Sequence, residues 1–201
     1  MPYEELKNSG VTEKTPDNIL LGAGTIHKGL KYDTAKKWNF AESLVGATSG
    51  GNKFTIKPEI SSIDVDGVLV RMQELDVKQG ETATLEINFA EITEDILKAS
   101  VIGKVAESDV EGYTLLTSKP DITVDDYFEN ISFVGRTITG KPIIVILGNA
   151  LCTSGLELEG KNKEAGVGKY TFECSQKLTG DSRVLPYKIY YPAANKETSI
   201  P

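Results

Sequence analysis

Histidine, tryptophan and cysteine are almost missing from this 201-residue chain, which has one histidine (His27), one tryptophan (Trp38) and two cysteines (Cys152 and Cys174). A single imidazole excludes any metal cluster or acid–base triad built on several, leaving only a lone catalytic histidine. No serine or cysteine sits in a recognisable nucleophile elbow beside His27, so a structural or surface role is expected for it. Cys152 and Cys174 lie far apart without a CxxC partner, which removes the sequence basis for zinc or thioredoxin-like chemistry. Both read as small apolar residues rather than as a disulfide. Long hydrophobic runs are absent too, since nothing approaches the roughly 20 apolar residues of a bilayer span. The opening residues Met1 to Lys7 show no basic leader followed by an apolar core, so no secretory signal is expected and the chain is expected to stay in the cytosol until assembly. Bases are outnumbered: 22 Lys and Arg against 29 Asp and Glu give a formal charge of −7. That balance repels a phosphate backbone and argues against nucleic-acid binding by counterion release, although not against DNA passing by.

What the chain does contain is enough apolar sequence, 39%, for a sizeable core, and one domain with two tails is the expected organisation. Residues 1–17 are polar and broken by Pro2, Gly10 and Pro16, which predicts an N-terminal arm. Ile19 to Leu21, Gly22-Ala23-Gly24 and Thr25 to His27 predict a strand, a glycine bend and a second strand. From Glu81 the period is strictly two, with Ala83, Leu85, Ile87 and Phe89 on one face and Thr82, Thr84, Glu86 and Asn88 on the other. Thr93 then starts a short helix, with Glu94 and Asp95 in its first turn, Ile96, Leu97 and Val101 as its apolar stripe and Gly103 as its stop.

Further strands are predicted at 113–117, 131–138, 143–147, 156–159, 170–178 and 185–191. Ile143 to Leu147 is apolar on both faces and predicts a central, covered strand. Residues 192–201 form the second tail. Many short strands with one helix predict a mainly β domain, an antiparallel β-sandwich or barrel with one short flanking α-helix.

Three short motifs invite a chemical reading and fail on spacing. Gly22-Ala23-Gly24 begins a dinucleotide fingerprint, but its third glycine position is His27 and no convincing helix follows. Asp64-Val65-Asp66-Gly67 lacks the twelve-residue ligand spacing of a calcium loop, and a tight Asp-Gly hairpin turn accounts for it better. Asn130-Ile131-Ser132 is a glycosylation sequon without meaning in a chain that is not secreted. Neither catalysis nor a cofactor or metal is expected. Glu74, Asp76, Glu81, Glu86, Glu91, Glu94 and Asp95, with Lys78 nearly alone among them, make residues 74–95 the most negative stretch. It is either a solvated face or, repeated around a ring, a wall of carboxylates that keeps DNA from sticking.

The order Gly46-Ala47-Thr48-Ser49-Gly50-Gly51, a strand from Phe54 to Val65, the Asp66-Gly67 turn and the alternating strand and helix after it resembles the major tail tube protein of long, non-contractile-tailed bacteriophages. The closing Leu185-Pro186-Tyr187-Lys188-Ile189-Tyr190-Tyr191-Pro192 supports the likeness, which spans about residues 18–191. The resemblance implies a β-sandwich whose sheets join into a hexameric ring, with rings stacked into a hollow tube around a tape-measure protein. Tail terminator and distal tail proteins would cap it, viral DNA would cross it without specific binding, and the place of the mature protein would be the virion tail.

On that likeness Thr84, Glu86 and Asn88 are candidates to face the lumen. Asp66, Gly67, Val68, Arg71, Glu74 and Lys78 are candidates for the ring-stacking loop, although Val68 to Leu75 lacks the family's additional glycines and lysines and simply extends the strands on a second reading. An inner tube protein of a contractile tail shares the same architecture. A β-sandwich carbohydrate-binding module is the reading from another class, and it would need clustered aromatics near loop ends.

Overall fold

The computed structural model describes residues 9–160, 162–163 and 166–192. The predicted arm therefore lies partly, and the C-terminal tail almost wholly, outside the described residues. The fold is mainly β. Its strands are β1 (Leu20–Lys28), β2 (Tyr32–Asp33), β3 (Lys37–Trp38), β4 (Leu44–Gly46), β5 (Thr48–Ser62), β6 (Asp76–Phe89), β7 (Gly103–Ala106), β8 (Leu115–Ser118), β9 (Phe128–Thr137), β10 (Pro142–Cys152), β11 (Gly168–Cys174) and β12 (Tyr187–Tyr190). Among the described residues three short α-helices, α1 (Thr15–Asn18), α2 (Phe40–Ser43) and α3 (Glu94–Val101), accompany them.

Eight strands form one antiparallel sheet in the order β4-β1-β9-β10-β11-β6-β5, with β12 also paired to β10. The two ends of that order are neighbours in sequence. Leu44 and Gly46 pair with His27 and Ile26 of β1, whereas Thr48 pairs with Phe89 of β6, and only Ala47 separates the two partnerships. Ala47 fixes the step by donating its N–H to Glu91 Oε2 at 3.0 Å and accepting from Ala90 N–H at 2.9 Å. The glycine-rich run is thus a corner that curls the sheet onto itself. Gly50 and Gly51, both at φ +85°, carry the bulge that restores register at Asn52.

Inside the curl lies the main core, where Ile26, Leu85, Ile87, Phe89, Ile131, Phe133, Leu147 and Phe172 are buried. The predicted alternation of β6 holds through Ala83, Leu85, Ile87 and Phe89. The central strand is β10, as its two-sided apolar pattern predicts. Val145 and Leu147 join the main core, and Ile144 and Ile146 form a second cluster with Leu30, onto which Trp38, Phe40 and Val134 pack.

Several expectations change. Residues 20–28 are one strand, not two, because Gly22 and Gly24 form a bulge inside it while both flanks keep pairing with β9. Gly24 is required there: a Cβ would lie 2.3 Å from the Phe133 ring. Helix α3 ends one residue before the predicted stop, with Ile102 in the left-handed region at φ 47°. Gly103 instead lets β7 approach β8, since a Cβ there would sit 3.0 Å from the Thr117 carbonyl oxygen. The helix buries Ile96, Ala99 and Ser100, while Val101 is exposed. Residues 156–159 form no strand, and β11 stops at Cys174, which leaves Leu178 in full solvent exposure. Cys152 and Cys174 are buried free thiols, the latter pushed up to about 11 by burial.

The turn before β9 holds a buried carboxylate. Asp126 Oδ2 accepts the Thr123 N–H at 2.7 Å and the Thr123 hydroxyl at 3.1 Å, and it pairs with Lys119, the two side chains being 3% and 15% exposed. Burial pushes this carboxyl up, but the Lys119 and Thr123 hydrogen bonds outweigh it and hold the group below the usual carboxylate range. A depressed folded value makes the contribution complete above the unfolded pKa, about 3.9, and loses it as the pH falls through the folded one. Asp126→Asn is therefore expected to cost about 1.5–3 kcal/mol at pH 7. Its penalty should shrink below pH 4, as urea unfolding from pH 2 to 7 will show.

Candidate functional site

The second halves of β5 and the first half of β6 leave the curled sheet. Strand β11 covers β6 only from Thr84 to Phe89, and the loop before β12 reaches it once more where Leu185 N–H meets Glu81 Oε1 at 3.1 Å. Beyond that point, every residue from Lys57 to Ile60 and from Asp76 to Gln79 is exposed. A two-stranded ribbon with neither face covered is marginal in water on its own. It projects about 20 Å, at about 3.3 Å per residue, and carries a loop at its end.

That loop corrects the predicted tight hairpin. Strand pairing ends at Ser62 and Asp76, and Ile63 N–H to Leu75 O (2.9 Å) closes a wide loop of which Asp66-Gly67 is only the tip. The reason is side-chain bracing rather than turn chemistry: Arg71 grips Asp76 with both ends of its guanidinium, at 2.9 and 2.8 Å, and holds 71–76 as a short turn. Two of the predicted stacking residues are thus spent within the chain, Arg71 on Asp76 and Lys78 on Glu81. Val68 folds back half-buried, while Asp66, Gly67 and Glu74 stay exposed. What the loop offers outward is mostly apolar, with Leu69 96% and Val70 71% exposed beside Ile63, Val65 and Met72. The signal for this was the Val68-Leu69-Val70 run, which reads equally well as strand.

Thr84, Glu86 and Asn88 all lie on the side of β6 turned away from the core, and the last two have work in the fold. Glu86 pairs with Lys53 at 2.8 Å, and Asn88 donates to the Gly51 carbonyl at 2.8 Å, clamping the corner bulge. Register puts Lys53 and Lys57 of β5 and Lys169 and Glu173 of β11 on that same face. It therefore carries both signs. Four of the seven acids in the negative run 74–95 are neutralised in space in the same manner, with Asp76, Glu81, Glu86 and Asp95 paired with Arg71, Lys78, Lys53 and Lys28.

Several strand edges remain without a strand partner among the described residues, including the outer edge of β5 beyond Asn52, the edge of β6 from Asp76 to Ala83, and the outer edges of β4 and β12. Unpaired edges template pairing with other chains unless they are guarded. Pro58 belongs to such an edge, since proline cannot donate to a ladder on both sides.

His27 is buried, and burial holds its imidazole below its ordinary value. Its Nδ1 lies 2.9 Å from Ser43 Oγ and its Nε2 2.8 Å from Thr25 Oγ1. Ser43 donates its own proton to the Asn39 carbonyl at 2.8 Å. The imidazole is then a donor to Ser43, the reverse of a base activating a nucleophile. No group of three or more potential metal ligands occurs among the described residues, and no helix among them is long and apolar enough to cross a membrane. No family model matches the chain, and no curated protein matches it.

Proposed function

We propose that this protein is a structural subunit of a bacteriophage-type tail tube, which self-assembles into rings that stack into a hollow conduit for DNA. The observation that carries the reading is the bare ribbon of β5 and β6, which ends in an exposed apolar loop and has an open edge along each side. In this reading the edge of β5 in one copy meets the edge of β12 in the next, a heterologous contact that closes by rotation into a hexameric ring. The apolar loop reaches the adjacent ring. The outward face of β5, β6 and β11 lines the bore, where Lys53, Lys57 and Lys169 balance Glu59, Glu86 and Glu173, so the wall neither grips nor strongly repels a polyanion. A tape-measure protein inside, tail terminator and distal tail proteins at the ends, and residence in the virion belong to the same proposal.

Sedimentation velocity over a range of concentrations tests the lateral contact. The expected result is a discrete hexamer of the 21.8 kDa chain that grows into larger species as concentration rises. A single monomer boundary throughout, unchanged when the adaptor proteins of a tail are added, would count against it.

A further inference from the structure

The face of β10 and β12 turned away from the main core carries a cleft of about 550 Å³. Its centre is aromatic. The Trp38 ring lies 5.1 Å from Tyr190 and 5.3 Å from Tyr32, each meeting it edge-on. Both tyrosines keep about half their surface in solvent, at 43% and 52% exposed. The β2–β3 hairpin brings Tyr32 and Trp38 together, and β12 delivers Tyr190 by pairing with Ile144. Three sequence positions more than 150 residues apart at the extremes thus form one platform.

Around the rings stand polar groups with nothing to do in the fold. Lys31, Glu129, Asn149 and Lys188 line the cleft, and the side chains of all four lack a hydrogen-bond or ion-pair partner among the described residues. Asn149 also occupies the left-handed region at φ 48°, a conformation that asparagine tolerates and that clusters at functional positions. An aromatic floor with free donors and acceptors at its rim is the make-up of a small-molecule site. Amphipathic rings of this kind give contact area at low entropic cost.

We propose that this cleft binds a pyranose oligosaccharide. The axial C–H face of a sugar ring packs on the exposed tyrosines, and its hydroxyls take hydrogen bonds from Lys31, Lys188 and the Asn149 amide and give one to Glu129. A purely apolar ligand would strand those four polar groups, and a phosphate would meet Glu129. Every lining residue comes from one chain, so the site forms without a ring.

Trp38, the only tryptophan, reports on it directly. The purified full chain is titrated with a β-1,4-linked N-acetylglucosamine tetramer and, separately, with maltotetraose, while Trp38 emission is followed. The expected result is a saturable change with at least one of them, weakened at least about tenfold in both Tyr32→Ala and Asn149→Gly. Asn149→Gly keeps the backbone conformation at ease, so its loss of binding is not a folding defect, and a thermal melt checks this for both variants. No saturable change with either sugar, or unaltered affinity in either folded variant, would overturn the proposal.

Discussion

Replacing both tip residues, Leu69→Asp with Val70→Asp, is expected to abolish growth into tubes while leaving the subunit fold intact. The two side chains are almost bare in the subunit, so folding stability should move by no more than about 0.5 kcal/mol, the range of ordinary surface changes. In a stack each would be buried against the next ring. Burying a leucine and a valine stabilises by about 1.5–3 kcal/mol apiece, so losing both weakens one contact by at least about two powers of ten. Burying the new carboxylates adds a further penalty. A ring engages its neighbour through several copies at once, which multiplies the effect. Rings without tubes is the signature to look for, by sedimentation and imaging; tubes of ordinary length from the double variant would remove the loop from any stacking role.

Phe172→Ala is expected to have the largest effect on the subunit itself. Phe172 is fully buried on β11, where it pairs with Leu85 of β6 on one side and Cys152 of β10 on the other. Its ring stacks on Phe128 at 5.3 Å and 24°. It therefore joins the part of the sheet that supports the ribbon to the part that does not. Truncating a buried phenylalanine costs about 3–5 kcal/mol, a large share of the 5–15 kcal/mol that holds a typical domain. Calorimetry should record a fall in Tm of roughly 6–20 °C, at about 2–4 °C per kcal/mol for a chain of this size. A fall of under 3 °C would mean that β11 does not bind the two halves together.

Those three residues also show what was legible beforehand. Phe172 stands in a run of strict alternation, and period-two patterning places such residues on the core face without knowledge of their partners; the same holds for Leu85, Ile87 and Phe89. The two-sided run at Ile143 to Leu147 forced a covered strand, although what covers its outer side, the 30–43 segment with Trp38 and Phe40, has no periodic signature. Leu69 and Val70 were readable as apolar but not as exposed, because exposure depends on where strand pairing stops. That point is fixed by Arg71 gripping Asp76, a contact that local propensity does not encode.

Charge behaved likewise. The acids between Glu74 and Asp95 look unopposed along the chain, yet Lys28 and Lys53 reach two of them from other strands. The aromatic cleft was invisible for the same reason: Tyr32, Trp38 and Tyr190 meet only because β12 lies beside β10. Gly46 to Gly51 was legible as a glycine-rich run leading into a strand, but its task, carrying the chain from β1 across to β6, appears only in the closed sheet.

The account depends on two of the margins that the curled sheet leaves open, along β5 and β12. Negative-stain electron microscopy of the concentrated protein tests this most directly. Annuli of six subunits and hollow filaments built from them are predicted. Isolated monomers at every concentration, with no tail or initiator partner able to recruit them into rings, would contradict it.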